Sequence, residues 1–449
     1  MNLTLSSDSL AQHLTQLNQA NHTLARHFPG ESGHRQPVHS VYGGGHLFKA
    51  EAASKLGKLA LASLEQFAPE SGQLGEALGL TLKKDVLDLI YNRVVEKLRR
   101  EPVEDYRIDF EDGYGIRSDE EEDGHVVAAA RELARGIQTQ SLPPFTGFRV
   151  KALSPEMQSR AIRTLDLFLT TLSQETNGQL PENFCVTLPK VTIPEQVTVL
   201  VQLLDQLETR LGLPSGAIKI EIMIETTQSL FDAQGRFVPP RLLNAANGRC
   251  LAAHFGAYDY TAGCNITSTY QSLQHPACDF ARQLMQVGFS GTGVWIVDGA
   301  TNVMPIPPHR ASAGQLLTPE QMMENRRTVH RAWKLHFDNI YHGLKSGFYQ
   351  GWDLHPAQLP IRYAATYLFF FEGLDPAAER LRNFVHKAAQ ATRVRDVFDD
   401  AATGQGLLNF FLRAINCGAL TEAETIERTG LSHEELRSRS FLKILQNRK

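Results

Sequence analysis

The chain runs to 449 residues, long enough to bury a large core and to hold more than one structural unit. Its apolar content of 42% and charged content of 21% are those of an ordinary globular protein. A formal charge of -4 without a long basic cluster speaks against nucleic acid as a partner. No apolar run is long enough to cross a bilayer, and MNLTLSSDSLAQHLTQLNQ lacks the basic and apolar regions of a signal peptide. These features predict a cytoplasmic protein with no membrane partner. Cys185, Cys250, Cys264, Cys278 and Cys417 are odd in number and lack CxxC spacing, which predicts reduced thiols rather than disulfides or a zinc site.

In chain order, residues 1–36 read as a helical leader, with Leu10, Leu14, Leu17 and Leu24 near helical spacing and expected to lie against the main domain. Val38–Tyr42 is a β-prone run. Gly43–Gly45 then permits a sharp turn whose N–H groups could cradle a phosphate, although no lysine–serine pair follows as in a P-loop. His39 and His46 flank that turn. Helices are predicted over 50–66 and 84–99. VEDYRIDFEDGYG alternates as a strand does and ends in Asp109, Glu111 and Asp112. Three acids at one tip need a cation, water or backbone donors to offset their repulsion. Ser118 and Glu121 fit a capping box, and Asp119–Asp123 reads as a solvated first helical turn.

FTGFRVKAL is a third strand, with Arg149 and Lys151 on one face and Phe148 and Val150 on the other. An arginine at such a tip suits bidentate binding of a carboxylate. FCVTLPK ends in Pro189 and Lys190. The runs Ile218–Ile224 and Leu251–Phe255 lead into Glu225 and Asp259, with a helix-length segment between them. A strand, helix and strand in that order form a parallel unit whose tips face the same way. Neighbouring strands lie about 4.8 Å apart, so the two carboxylates can share one hard cation such as magnesium, held at about 2.1 Å. The alternative is that Glu225 caps a helix and Asp259 closes a turn. GVWIVDG and GWDLHPAQL, the latter ending at His355 and Pro356, supply a seventh and an eighth strand.

Eight strand-like segments alternating with helices predict an α/β fold, a (β/α)8 TIM barrel over 37–360. It would carry an insertion at about 300–345, the leader over 1–36 and an all-helical C-terminal domain over 361–449. Leu368–Phe371 is too apolar to face water, and is expected to bury against the barrel or another subunit. Such apolar C-terminal helices predict a homo-oligomer.

Taken together, these tips resemble the HpcH/HpaI aldolase and citrate lyase β-subunit family. Its DLED-like motif matches Asp109-Phe110-Glu111-Asp112, its arginine Arg149, its LPK Leu188-Pro189-Lys190, and its IET Ile224-Glu225-Thr226. FGxxD matches Phe255-Gly256-Ala257-Tyr258-Asp259, and G-F...HPxQ matches Gly347, Phe348 and His355-Pro356-Ala357-Gln358. The resemblance implies that Glu225 and Asp259 hold Mg²⁺ or Mn²⁺ and that Arg149 clamps a small carboxylate substrate and stabilises a developing enolate oxygen. It places Lys190, Gly256 and Ala257 around that substrate. Glu111, Asp112, His355 and His46 become candidates for proton transfer by position. Two departures stand out: Lys151 replaces an Asn common in the family, and no G-M-x-D-type motif, found in members acting on CoA thioesters, occurs among the C-terminal helices. The implied activity is a Mg²⁺-dependent carbon–carbon lyase or aldolase on a small 2-oxo or hydroxy acid, with a CoA thioester as an option. The alternatives are a malate-synthase-like condensation, a phosphoenolpyruvate- or pyruvate-handling enzyme, and a non-catalytic binding protein.

Overall fold

Eight strands close on one another in sequence order, each parallel to the next, and β8 returns to β1. They are β1 (His39–Gly44), β2 (Asp105–Asp109), β3 (Phe145–Arg149), β4 (Phe184–Leu188), β5 (Lys219–Ile224), β6 (Cys250–Phe255), β7 (Trp295–Ala300) and β8 (Gln350–Asp353). The computed structural model describes residues 7–30, 34–311, 316–386, 392–394, 397–399 and 401–448. Helix α1 (Ser7–His27) precedes the barrel, and α2 (Ala52–Phe67), α3 (Ser71–Ala77) and α4 (Lys84–Arg100) join β1 to β2. Single helices α5 (Asp119–Thr139), α6 (Gln158–Thr176), α7 (Pro194–Leu211) and α8 (Pro239–Ala245) make the next four crossovers. Then α9 (Ala257–Gly263) and α10 (Pro276–Phe289) lead to β7, α11 (Pro319–Lys345) to β8, and α12 (Leu359–His386) follows β8. The chain ends with β9 (Thr392–Val394), β10 (Val397–Asp399), α13 (Ala401–Asn416), α14 (Glu422–Thr429), α15 (His433–Ser438) and α16 (Phe441–Asn447). This is the (β/α)8 barrel that the alternating pattern predicts.

Local chemistry accounts for the boundaries. Pro194 opens α7, where its missing N–H costs nothing, and Gly212 ends it at φ 67°, a conformation that a Cβ would penalise. Thr318 and Gln321 exchange hydrogen bonds as a capping box at the start of α11. Ser118 accepts from the Glu121 N–H as expected, but the Glu121 carboxylate turns to Arg117, so only half of that box forms.

The barrel interior departs from the usual filling of branched apolar side chains. Asp105, Arg107 and Asp109 alternate inward along β2, and all three are buried. Arg107 pairs with Asp105 at 2.9 Å and reaches within 3.8 Å of Glu221, which accepts from Tyr42 and Thr187 at 2.8 Å each. Such a charged layer survives burial because Arg107 faces both carboxylates, Asp105 Oδ1 and Glu221 Oε2 being left without hydrogen bonds.

Three expectations change. The leader does not lie on the barrel: Leu10, Leu14, Leu17 and Leu24 are 42–58% exposed, and Gly30 N–H to the Gly291 carbonyl at 2.8 Å ties its end down. Helical spacing reports an apolar stripe, not what covers it. Most of the stretch read as an insertion is α11, which contacts α12, α3 and α2 as a barrel helix, so only the loop before Pro319 is extra. The C-terminal part is not wholly helical, because β9 and β10 pair antiparallel. Leu368 and Phe370 are buried inside the chain itself, with Phe370 against Tyr349 and Phe410, the first of the two outcomes expected for that run.

All five cysteines are free thiols. Among the described residues, no helix is long and apolar enough to cross a membrane. Because α1 is so exposed, deleting residues 1–27 is expected to move the thermal midpoint by less than about 2 °C. A larger fall in calorimetry would show the leader to be part of the cooperative core.

Candidate active site

The C-terminal ends of β2 to β6 open into a cavity of about 640 Å³. Parallel register brings its parts together: Asp109 stands opposite Arg149, Arg149 opposite Thr187, and Ile224 opposite Phe255. Residues just beyond these pairs, Glu111 and Asp112 after β2, Lys190 after β4, Glu225 after β5 and Asp259 after β6, line the cavity.

The crowded acids of β2 receive the cations and backbone donors that their repulsion demands. Arg149 grips Asp109 through Nε and Nη2 at 2.7 and 2.6 Å, and its Nη1 lies 2.9 Å from Glu111. The N–H groups of Glu111 and Gly113 donate to Asp109 at 2.9 and 2.7 Å. Its guanidinium also stacks over the Tyr42 and Trp352 rings, which fixes its plane. Burial pushes the Glu111 carboxyl up, against the opposing pull of Arg149. Asp112 is held low despite partial burial, because Arg149 and Lys190 face it.

Lys190 has a left-handed backbone, φ 51°, rare for a residue with a Cβ. That turn aims its backbone N–H at Glu225 Oε1 while its side chain reaches back across the cavity. The ammonium contacts Glu111, lies 3.2 Å from Asp112 and 3.4 Å from Asp259. Burial works against this charge, but the Glu111 carboxylate and its neighbours hold it well above the usual lysine range.

Glu225 is buried, and desolvation pushes its carboxyl up to about 8 against Lys190 and Arg149, with the Asp259 charge adding to the rise. Gly256 leaves room for it: a Cβ there would overlap the Glu225 carboxylate and Cβ. Asp259 sits in the first turn of α9. Among the described residues, no group of three or more His, Cys, Asp or Glu side chains is arranged to hold a metal. Glu225 and Asp259 nevertheless fit a divalent cation of the magnesium type, which takes one or two carboxylates and completes its shell with water and substrate. A buried carboxyl driven toward neutrality beside a second acid is the donor set that such an ion restores to full charge.

Other expected site residues lie elsewhere. Arg149 is 1% exposed and is not part of the cavity wall, so it braces the acids from behind rather than standing open to a substrate. His355 does not reach the cavity: its Nδ1 accepts from the Ala357 N–H at 3.2 Å, and Gln358 answers by accepting from His355 N–H, a capping box on a 3₁₀ turn. Ala257 is buried toward Gly299 of β7, and Gly256 acts through the space it leaves for Glu225. His46 faces Tyr114 and His125, where burial, Arg117 and His125 hold its ring below the ordinary histidine value. The three glycines at the end of β1 serve close contact instead of a phosphate cradle. A Cβ would meet Tyr106 at Gly43, the Gly113 carbonyl at Gly44 and the Phe110 ring at Gly45.

Asp119–Asp123 is not a wholly solvated turn either. Glu122 is 1% exposed and accepts from Lys151 and Thr164 at 2.7 Å each. Lys151, which also donates to the Phe110 carbonyl at 2.7 Å, thereby ties β3 to α5 and to the strand tip bearing the acids. A run of five acids hides this, because the inward one is buried against Lys151 and Thr164 while Glu121 and Asp123 pair with arginines nearer the surface. Sequence reading also missed the outer wall, formed by Ile116, Ala152, Ser154, Pro155, Met157, Thr192, Gln196 and Thr226–Gln228. Apart from Thr226 no motif marks these residues, which come from four separate strand-to-helix connections, Gln196 from the first turn of α7.

The family model described as "Domain of unknown function (DUF6986)" matches residues 17–444. Among solved structures, a citrate lyase from Burkholderia xenovorans LB400 is 16% identical with a TM-score of 0.54, over 76% of this chain and 92% of that one. CitE from Mycobacterium tuberculosis, in complex with magnesium, acetoacetate and coenzyme A, is 13% identical with a TM-score of 0.44, over 85% and 97% of the two chains. A malate synthase from Haloferax volcanii, as its lead(II) complex, is 16% identical with a TM-score of 0.41, over 82% and 94%. The first of these likenesses is one of barrel fold. No curated protein matches the chain by sequence.

Proposed function

The chain belongs to the family described as a domain of unknown function (DUF6986), and we propose that it is a Mg²⁺- or Mn²⁺-dependent carbon–carbon lyase of the aldolase type, acting on a small 2-oxo or hydroxy acid. The observation that carries this reading is the meeting of Glu225 and Asp259 in one cavity at the carboxyl ends of adjacent strands. A divalent ion held by those two carboxylates would draw electron density from the substrate's oxo group. The order of the strand-tip motifs, which resembles the HpcH/HpaI and citrate lyase β-subunit family, supports the same chemistry.

The protein's own groups have distinct tasks in this reading. Lys190, a cation facing the cavity, binds the substrate carboxylate and exchanges its contacts with the acids for that partner. Arg149 holds Asp109 and Glu111 rigid, so that Glu111 presents one face to the cavity. When a 4-hydroxy-2-oxo acid is cleaved, the bond between C3 and C4 breaks and its electron pair moves toward the 2-oxo oxygen. Glu111, whose burial raises its proton affinity, takes the C4 hydroxyl proton; solvent then protonates C3, giving an aldehyde and a 2-oxo acid.

The test is chelation. Treatment with EDTA is expected to lower the release of pyruvate from a 4-hydroxy-2-oxo acid at least about 100-fold, and added Mg²⁺ to restore it. Release that continues unchanged after the metal is stripped would overturn the proposal.

A further inference from the structure

The cavity is larger than a three-carbon oxo acid requires. Its 640 Å³ lies within the roughly 300–1,000 Å³ range of sites that enclose drug-sized ligands. The charged groups gather at one end, around Glu225 and Asp259. The lining also carries Ile116, Ala152, Pro155 and Met157, four apolar side chains. Ile116 is 86% exposed, an apolar side chain left in water at the mouth of a cavity. Burying it against a ligand recovers about 25 cal/mol for each Å² of apolar surface removed from water.

What this wall lacks decides the matter. Lys151 and Lys190 are the two cationic side chains among the lining residues. Lys151 is spent on Glu122 and the Phe110 carbonyl. Lys190 lies at the acidic end, among Glu111, Asp112 and Asp259. Three polar side chains of the wall, all uncharged, are turned to local partners as well. Gln196 accepts from Thr192 N–H at 2.8 Å and donates to the Leu153 carbonyl at 3.1 Å, Ser154 donates to Glu156 at 2.8 Å, and Thr226 donates to the Val191 carbonyl at 2.6 Å. A carboxylate or phosphate lying along this wall would lose water without gaining a counter-ion, a cost of several kcal/mol in general terms.

Resting on the lyase reading above, we infer that the substrate carries an uncharged apolar tail, alkyl or aromatic, on the carbon released as the aldehyde. The tail lies along Ile116, Ala152, Pro155 and Met157 while the oxo-acid head stays at the acidic end. In the synthetic direction, pyruvate loses a C3 proton, its C3 bonds to the aldehyde carbon, and the aldehyde oxygen gains a proton. The apolar wall then selects the aldehyde.

The experiment supplies Mg²⁺, pyruvate and one aldehyde at a time. Hexanal and benzaldehyde are expected to show kcat/KM at least about tenfold above succinic semialdehyde and glyceraldehyde, the scale of one or two buried methylenes. Met157→Glu is expected to erase that preference. Equal or better use of the acidic or hydroxylated aldehyde by the unaltered enzyme overturns the inference and leaves the lyase reading standing. Failure of every aldehyde to condense overturns the lyase reading instead, and calorimetry then decides the tail alone. With Mg²⁺ present, 2-oxooctanoate is expected to bind at least tenfold tighter than 2-oxoglutarate, and the reverse order overturns the apolar tail.

Discussion

Replacing Glu225 by Gln is expected to remove Mg²⁺ binding and to lower kcat by about 10³-fold or more, the scale of losing a preorganised electrostatic group in a dry site. The side chain keeps its size, so folding should survive. Its buried position and its neighbour Asp259 make it the group with most to gain from a cation. Gly256→Ala should imitate the loss without touching a charged residue, because a Cβ there would push directly into the Glu225 carboxylate. Calorimetric titration of both variants with MgCl₂ checks this, and wild-type affinity in either would sink the assignment. A pH effect accompanies it. In the metal-free protein Glu225 ionises only near pH 8, above its ordinary value of 4.5. The unfolded chain therefore gives up this proton first, and metal-free stability should fall as pH rises from about 4.5 through about 8. Urea midpoints of chelated wild type and Glu225→Gln at pH 5.5 and 8 should diverge, the variant losing less.

Arg149→Leu is expected to cost about 3–5 kcal/mol of stability, the general penalty for leaving a buried charge without its partner. Asp109 loses both of its guanidinium contacts and keeps only backbone donors, while Glu111 loses the one at 2.9 Å and keeps Lys190. Arg149→Lys should recover only part of this, because one ammonium cannot hold Asp109 in a fork and reach Glu111 as well. Urea unfolding of the two variants reads the difference. A Leu variant within about 1 kcal/mol of wild type would mean that the acids do not depend on this arginine.

Much of this architecture is legible in the residues. Charge at alternate positions of Asp105-Tyr106-Arg107-Ile108-Asp109 marks β2 as a strand with one polar face, and the runs before Glu225 and Asp259 mark β5 and β6. The same local rules mislead where coverage matters. The apolar stripe of α1 faces water, and of the two covers that Leu368 and Phe370 allowed, only the folded chain selects their own.

Order along the chain by itself determined the barrel and the acids at its rim, because strand period, helix period and turn chemistry all act over a few residues. Only the folded chain decided what each rim residue touches. Lys190 finds Glu111 across 79 positions and Lys151 finds Glu122 across 29, so the lysine came to face the cavity while Arg149 went behind it. Contacts between charges depend on distance in space and on burial, and neither quantity is written in the spacing of a linear sequence.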